Sequence, residues 1–305
     1  MFGAHQSRAT GIHIADQTLH IAELVRHRGE VSIHNLVQEA LPFACTPVQL
    51  AGEERGELAQ FVRRVGADRR LSFRNPCLAL GAHAFLLKRR PWIQGSEEVN
   101  QDHLRWEVQQ VLPDRLAAYA LDIVKTAQGY FLVAARRRAL KLYGALCRKA
   151  GLKKPLYDIA PFALYNALEA SGILAGEEME MLVDISPPEA LVLLLNGGQL
   201  QAVGSCAWPG ESQEAQRESL AESMQQMIEA ESSLRRPKRL WLSGAAAADP
   251  EWQAVLRERL AMEMAVFDPL SGVDDSPLAE VASPAARAAG AVAVGLAYRR
   301  LTEGD

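Results

Sequence analysis

Three short stretches of this 305-residue chain place polar and small residues at turns between apolar strands, the arrangement that phosphate chemistry uses. The first is GIHIADQTLHIAEL, residues 11–24, with His13, Ala15, Asp16, Gln17 and Thr18 at the turn. The second is VDISPPEA, residues 183–190, with Asp184 and Ser186, and the third is Ser243-Gly244-Ala245. Facing turns grip phosphate through backbone N–H groups, and glycine permits the close approach. Hydrolysis adds carboxylates that hold hydrated Mg²⁺ and order the attacking water. This chain departs from those needs. His13 cannot serve a hard cation as a carboxylate does. Asp16 puts negative charge where phosphate oxygens would sit, and Pro187-Pro188 removes two backbone donors.

Other reactive patterns are weaker still. His13, His20, His27 and His34 recur every seven residues, but an odd spacing along strands alternates faces, so no metal site is expected. Cys45, Cys77, Cys147 and Cys206 lie far apart with no Cys-x-x-Cys pair, which suggests reduced thiols rather than zinc ligands. The net charge of -4 gives no global attraction to nucleic acid or an anionic bilayer. The basic runs Lys88-Arg89-Arg90, Arg136-Arg137-Arg138 and Arg235-Arg236 read as solvated faces, with acidic partners or lipid headgroups as the alternative. No signal peptide is visible, and AARAAGAVAVGLAY is too short to span a bilayer, so a cytoplasmic protein is expected.

The elements that must position these residues follow from periodicity. Residues 12–33 alternate as three strands of a meander. Leu58, Phe61, Val62 and Val65 mark a helix, and PCLALGAHAFLLKRRPW two more strands. Ser96 caps a helix with Leu104, Val108, Val111 and Leu112 on one face, stopped by Pro113. YALDIVKT and GYFLVAAR pair, and Gly151 caps the amphipathic helix after them. The plan then repeats about 170 residues later: MLVDISPPEALVLLLNGGQL is again strand, turn, strand, glycine turn, strand. A polar helix over 212–234, the strand RLWLSG, a helix from Asp249-Pro250, the strand AVFDPL and an Ala/Gly-rich closing helix complete the chain. A duplicated strand-meander-plus-helix unit is the plan of the actin-like fold, with two halves around a cleft.

The middle of the chain carries a family resemblance. LKRRPWIQGSEEVNQDHLRWEVQQVLP, with Arg105, Trp106, Glu107 and Pro113, resembles a stretch of the type IV pilus assembly PilM family. FLVAARRRALKLYGALCRKAGLKKPLYDIAPFALYNAL, with Asp158, Phe162, Ala163 and Leu164, is similar to the family's next segment, and VFDPL and AAGAVAVGLAYR to its last two. MshI-type proteins, the cell-division protein FtsA and the cytoplasmic part of type II secretion protein L share the superfamily. The resemblance implies an α/β, actin-like (ribonuclease H-like, duplicated) fold of two subdomains around a cleft. Residues 1–36 and 116–178 would form the first core subdomain, 37–115 an inserted α+β subdomain, and 179–305 the second core subdomain. It implies a cytoplasmic adaptor at the inner membrane that binds the N-terminal tail of a PilN-like single-pass protein and links it toward the cytoplasmic motor ATPase. The tail groove would be lined by Phe85, Leu87, Lys88, Arg89, Arg90, Arg105, Gln109 and Val111. Where the family's first turn runs Asp-hydrophobe-Gly-Ser, this chain has His13, Ile14, Ala15 and Asp16; an expected acid is Ala160, and one glycine of the usual pair remains at Gly244. The cleft is therefore read as degenerate, with no bound ATP, Mg²⁺ or other cofactor expected. The alternative is an FtsA-like filament or nucleotide-binding scaffold; an active ATPase or sugar kinase fits less well.

Overall fold

A computed structural model describes residues 7–15, 17–43, 45, 47–91, 108–110, 112–126, 129–174, 176–208, 210–231, 236–278 and 282–302. Strand β1 (Ser7–Ala15) pairs antiparallel with β2 (Thr18–His27), and β2 with β3 (Glu30–Ala40). The second turn, Arg28-Gly29, holds φ of 54° and 90°, the left-handed pair that a tight hairpin needs. Helices α1 (Pro47–Ala51) and α2 (Glu54–Asp68) lead to β4 (Pro76–Leu80), which returns parallel to β1. Three strands follow: β5 (Phe85–Pro91), β6 (Tyr119–Thr126) and β7 (Gly129–Arg136). Helix α3 (Arg137–Ala150), β8 (Leu156–Ile159) and α4 (Ala160–Ser171) end the first half. The second half runs β9 (Met179–Ser186), β10 (Glu189–Asn196), β11 (Gln199–Ala207), α5 (Gln213–Ala230), β12 (Arg239–Ser243), α6 (Pro250–Leu260) and β13 (Glu263–Val266). Helices α7 (Pro284–Ala289) and α8 (Ala291–Thr302) close the chain.

The two large sheets have one topology. Their orders are β3-β2-β1-β4-β8 and β11-β10-β9-β12-β13, each an antiparallel meander extended by two parallel strands. The repeat seen in the sequence is thus a repeat of the whole unit. It also corrects the expected insert at 37–115. Residues 37–40 belong to β3 of the first sheet, α2 occupies the place that α5 holds in the second half, and β4 is the first sheet's fourth strand. The element without a counterpart is the separate sheet β5-β7-β6, spanning Phe85–Arg136. Residues 116–136 therefore belong to that sheet and not to the first core. Two smaller differences follow. The AVFDPL strand stops at Val266, and the closing helix breaks at Gly290.

Two helices tie the halves together. Helix α4 follows the first sheet yet packs on β10, while α8 follows the second sheet yet packs on β1, β2 and β4. The contact is backbone to backbone. A Cβ built on Gly11 would stand 1.9 Å from Ala293 O, and one on Gly295 would stand 1.7 Å from Ala163 O. Only glycine permits that approach. Around it Leu182, Leu193, Phe162, Ala163, Val292 and Leu296 share one core. The outer edge of β3 is closed from the other half, where Ile33 N–H donates to Asp274 O at 2.9 Å and Asp274 N–H to Val31 O at 3.1 Å.

The Ser96 helix start, Arg105, Trp106, Glu107 and Val111 lie outside the described residues. Residues 108–110 are helical, and Val108 and Leu112 pack with Tyr119, Tyr130 and Leu132 under the small sheet.

Candidate nucleotide cleft and partner groove

The first turn holds His13 and Ala15 at the end of β1 and Thr18 at the start of β2; Asp16 lies outside the described residues. Gln17 O accepts the N–H of Leu41 at 2.7 Å, so this carbonyl serves the meander. The register places His13 opposite His20, with ring centroids 6.0 Å apart. Odd spacing along one strand would separate them, but the turn brings them back to one face, a correction to the alternation expected from spacing. Neither Nδ1 has a hydrogen-bond partner among the described residues. Burial pushes His13 down to about 3, with the neighbouring His20 adding to it, and burial pushes His20 down to about 4. The site offers neutral imidazoles where a hard cation needs carboxylates. Among the described residues no group of three His, Cys, Asp or Glu is placed to hold a metal.

The second and third turns do come together, around Asp184. Ser243 Oγ lies 2.9 Å from Asp184 Oδ2 and 3.1 Å from Ala288 O, and Ser186 Oγ lies 2.9 Å from Asp184 Oδ1. Burial raises Asp184 to about 6, against the two hydroxyls, which favour the charged form. Below that pH the protonated carboxyl can donate to Ser243, freeing the Ser243 hydrogen for Ala288 O. The backbone donors of the third turn are already engaged: Gly244 N–H to Ala288 O at 3.1 Å, Ala245 N–H to Ser186 Oγ at 3.4 Å, and Ala246 N–H to Ile185 O at 2.9 Å. Gly244 has φ of 90°, and a Cβ there would meet Ile185 backbone at 2.5 Å, so this glycine joins two turns of the protein.

These groups set a pH dependence. The unfolded chain binds protons below pH 6.5 that folded His13 and His20 refuse down to about 3 and 4. Asp184 runs the other way, because the folded chain keeps its proton up to about pH 6 and the unfolded chain releases it above 3.8. Between pH 6 and 4 the unfolded state gains about one net proton. Stability should fall on acidification by at most about 3 kcal/mol over that window, His13 being only half-buried. Melting temperature is expected to drop from pH 7 to pH 5, and to drop more steeply in Asp184→Asn. A flat profile in both would contradict buried neutral histidines.

The residues expected to line a tail groove divide. Phe85 and Leu87 are half-buried and pack against the large core. Lys88 is exposed, and Arg90 is half-buried. Arg89 is not a free cation at a rim: Nη1 pairs with Glu231 at 3.2 Å and Nη2 donates to Gln201 at 3.0 Å, joining β5 to the second half. Gln109 Oε1 accepts the N–H of Leu116 at 3.1 Å. The concavity lies beside them, where Leu50, Ala51, His83, Arg136, Arg138, Ala139, Leu142 and Tyr143 line a groove of ≈ 500 Å³ between α1, α3 and the β4–β5 connection. Tyr143 is fixed there by donation from Gly81 N–H to its oxygen at 2.9 Å.

No family model and no curated protein matches this chain. Solved structures do match. A Bacteroides thetaiotaomicron protein described as having an actin-like ATPase fold superposes with a TM-score of 0.51 at 12% identity, over 87% of this chain and 94% of that one. This chain has the actin-like ATPase fold. A chain of the PilM–PilN type IV pilus biogenesis complex superposes more fully, with a TM-score of 0.77 at 20% identity over 96% of this chain and 98% of that one. The cytoplasmic domain of EpsL, an inner membrane component of the Vibrio cholerae type II secretion system, gives 0.50 at 9% identity over 98% and 96%. The actin-like reading of the duplicated meander is borne out by these likenesses and by the two sheet orders. Among the described residues no helix is long and apolar enough to cross a membrane.

Proposed function

We propose that this actin-like chain is a cytoplasmic adaptor of a type IV pilus-type assembly machine. In this reading it holds the tail of a PilN-like single-pass inner-membrane protein in the groove beside α3 and turns over no ATP. The observation that carries the reading is the end-to-end likeness to a chain of the PilM–PilN complex, over 96% of this chain. The groove suits an extended peptide, whose alternate side chains seek apolar pockets while its main chain seeks polar partners. Leu50, Leu142 and Tyr143 supply the first, and His83 and Arg138 are available for the second, while Arg136 beside them already pairs with Asp114 at 3.1 Å. The groove thus sits on α1 and α3, one step from the β5 residues singled out in the sequence.

The residues present do not fit ATP with Mg²⁺. His13 is neutral, the Gly244, Ala245 and Ala246 donors are spent within the protein, and Pro187-Pro188 offers none. Phosphate release with ATP and Mg²⁺ is expected to stay at the blank. Turnover that vanishes in Asp184→Ala would overturn the non-catalytic reading. In a fluorescence-anisotropy titration, the labelled cytoplasmic tail of the cognate PilN-like protein should bind the full chain. Leu142→Glu should weaken it at least tenfold, about 1.4 kcal/mol. Equal affinity for both proteins would place the tail elsewhere.

A further inference from the structure

Helix α3 carries a cationic face that no carboxylate among the described residues neutralises. From Ile123 to Tyr157 the sequence holds nine Lys and Arg side chains and no carboxylate, in a protein of net charge -4. Arg137, Arg138, Lys141, Arg148 and Lys149 on α3 are all exposed, as are Lys153 and Lys154 just beyond it. At about 100° per residue, the five on α3 fall within an arc of roughly 120°. The opposite side is buried, with Ala139, Tyr143, Leu146, Cys147 and Ala150 in the core. Among the described residues none of these seven cations makes an ion pair.

The start of the helix breaks a local rule. Arg136 is the N-cap, makes no side-chain capping bond, and is followed by Arg137 and Arg138, with no acid in the first turn. The positive end of a helix dipole disfavours cations there. The helix that starts at Ala160 also lacks a capping side chain, but it places no cation in its first turn, whereas Arg137 and Arg138 here would gain from an external anion.

We infer that the exposed face of α3 rests on an anionic phospholipid surface. The occupant is chosen by shape and place. The 14-residue helix offers a cationic strip roughly 21 Å long on one side, suited to a plane of headgroups. The strip carries no aromatic side chain on which a nucleic-acid base could stack. Its flank, Arg138 and Leu142, is also the wall of the groove. The choice of a membrane rests on the reading above, that this groove holds a membrane protein's tail, because a tail leaving the bilayer would bring α3 close to it. The lipid headgroups named as the alternative for the Arg136-Arg137-Arg138 run would then be its partner.

The test is flotation of the full chain with phosphatidylcholine vesicles, with and without phosphatidylglycerol. The variant carries Arg137→Gln, Lys141→Gln and Arg148→Gln, which removes charge while keeping a good helix former and avoids the groove wall. The parent is expected to bind only the phosphatidylglycerol vesicles and to be released by high salt. The variant should bind roughly 100-fold more weakly, at about 1 kcal/mol per cation, with an unchanged melting temperature or a higher one. No binding by the parent, or equal binding by the variant, overturns the inference. So does tighter binding of the parent to double-stranded DNA than to the vesicles. The tail titration in the same samples separates the two readings. Tail binding without vesicle binding sinks only this one, and vesicle binding without tail binding sinks only the adaptor groove.

Discussion

Gly295→Ala is expected to cost at least about 3 kcal/mol of folding free energy, and Gly11→Ala a similar amount. Both glycines sit where α8 touches backbone and not side chain. The new methyl at residue 295 would lie 1.7 Å from Ala163 O, and the one at residue 11 would lie 1.9 Å from Ala293 O and 2.7 Å from Ala297 N. No rotamer change relieves a clash with a carbonyl in a helix. Relief requires α8 to lift from β1 or α4, which opens the core shared by the halves. Alanine's higher helix propensity returns only about 1 kcal/mol at residue 295. Gly176→Ala is the control, since its nearest neighbour would be 3.7 Å away. Urea midpoints should show the control near the parent and the other two far below it. A Gly295→Ala protein within 1 kcal/mol of the parent would mean that α4 and α8 do not cross this closely.

Glu23→Ala is the second large loss expected, about 3–5 kcal/mol. Glu23 is fully buried in β2 and collects four donors from three parts of the chain. Asn35 Nδ2 donates at 2.9 Å, Ser72 N–H at 2.9 Å, Arg8 Nη1 at 3.4 Å, and the Ser72 hydroxyl also donates. These bonds bind the chain after α2 to the sheet just before β4 enters it. Removing the carboxylate leaves those donors without their acceptor, which costs more than the pair itself was worth. Arg8→Ala should cost far less, because Arg8 is only partly buried and solvent takes its place. Chemical denaturation of the two variants checks the ordering. A Glu23→Ala loss no larger than that of Arg8→Ala would show that the four donors find water in the folded protein.

The duplicated plan was legible because each meander writes period-two apolar runs and glycine turns into contiguous sequence. The Gly151 cap, the Asp249-Pro250 start and the close-packing Ala/Gly helix were legible for the same local reason. The limits of the insert were not. Its sheet is closed by β5 pairing with β7, from Phe85↔Ala135 to Pro91↔Gly129, a contact across dozens of residues that no local pattern reports. Helix α2 looked like inserted material because its equivalence to α5 lies in topology and not in sequence. In the cleft, His13 and Pro187-Pro188 were recognisable as departures, but the pairing of His13 with His20 needed the register of the hairpin. The concavity between α1, α3 and the β4–β5 connection was not named from the sequence. Its residues come from α1, the β4–β5 connection, the end of β7 and α3, which only the folded chain brings together.

A crosslinking map of the tail tests the adaptor reading most directly. A photoreactive residue placed in turn along the cytoplasmic tail of the PilN-like partner, mixed with the full chain, reports which elements it touches. Crosslinks are expected on Leu50, Arg138 and Leu142, lost with excess unlabelled tail and unchanged by ATP with Mg²⁺. Crosslinks confined to α5 and α6, residues 213–260, or a tail displaced by ATP, would contradict it.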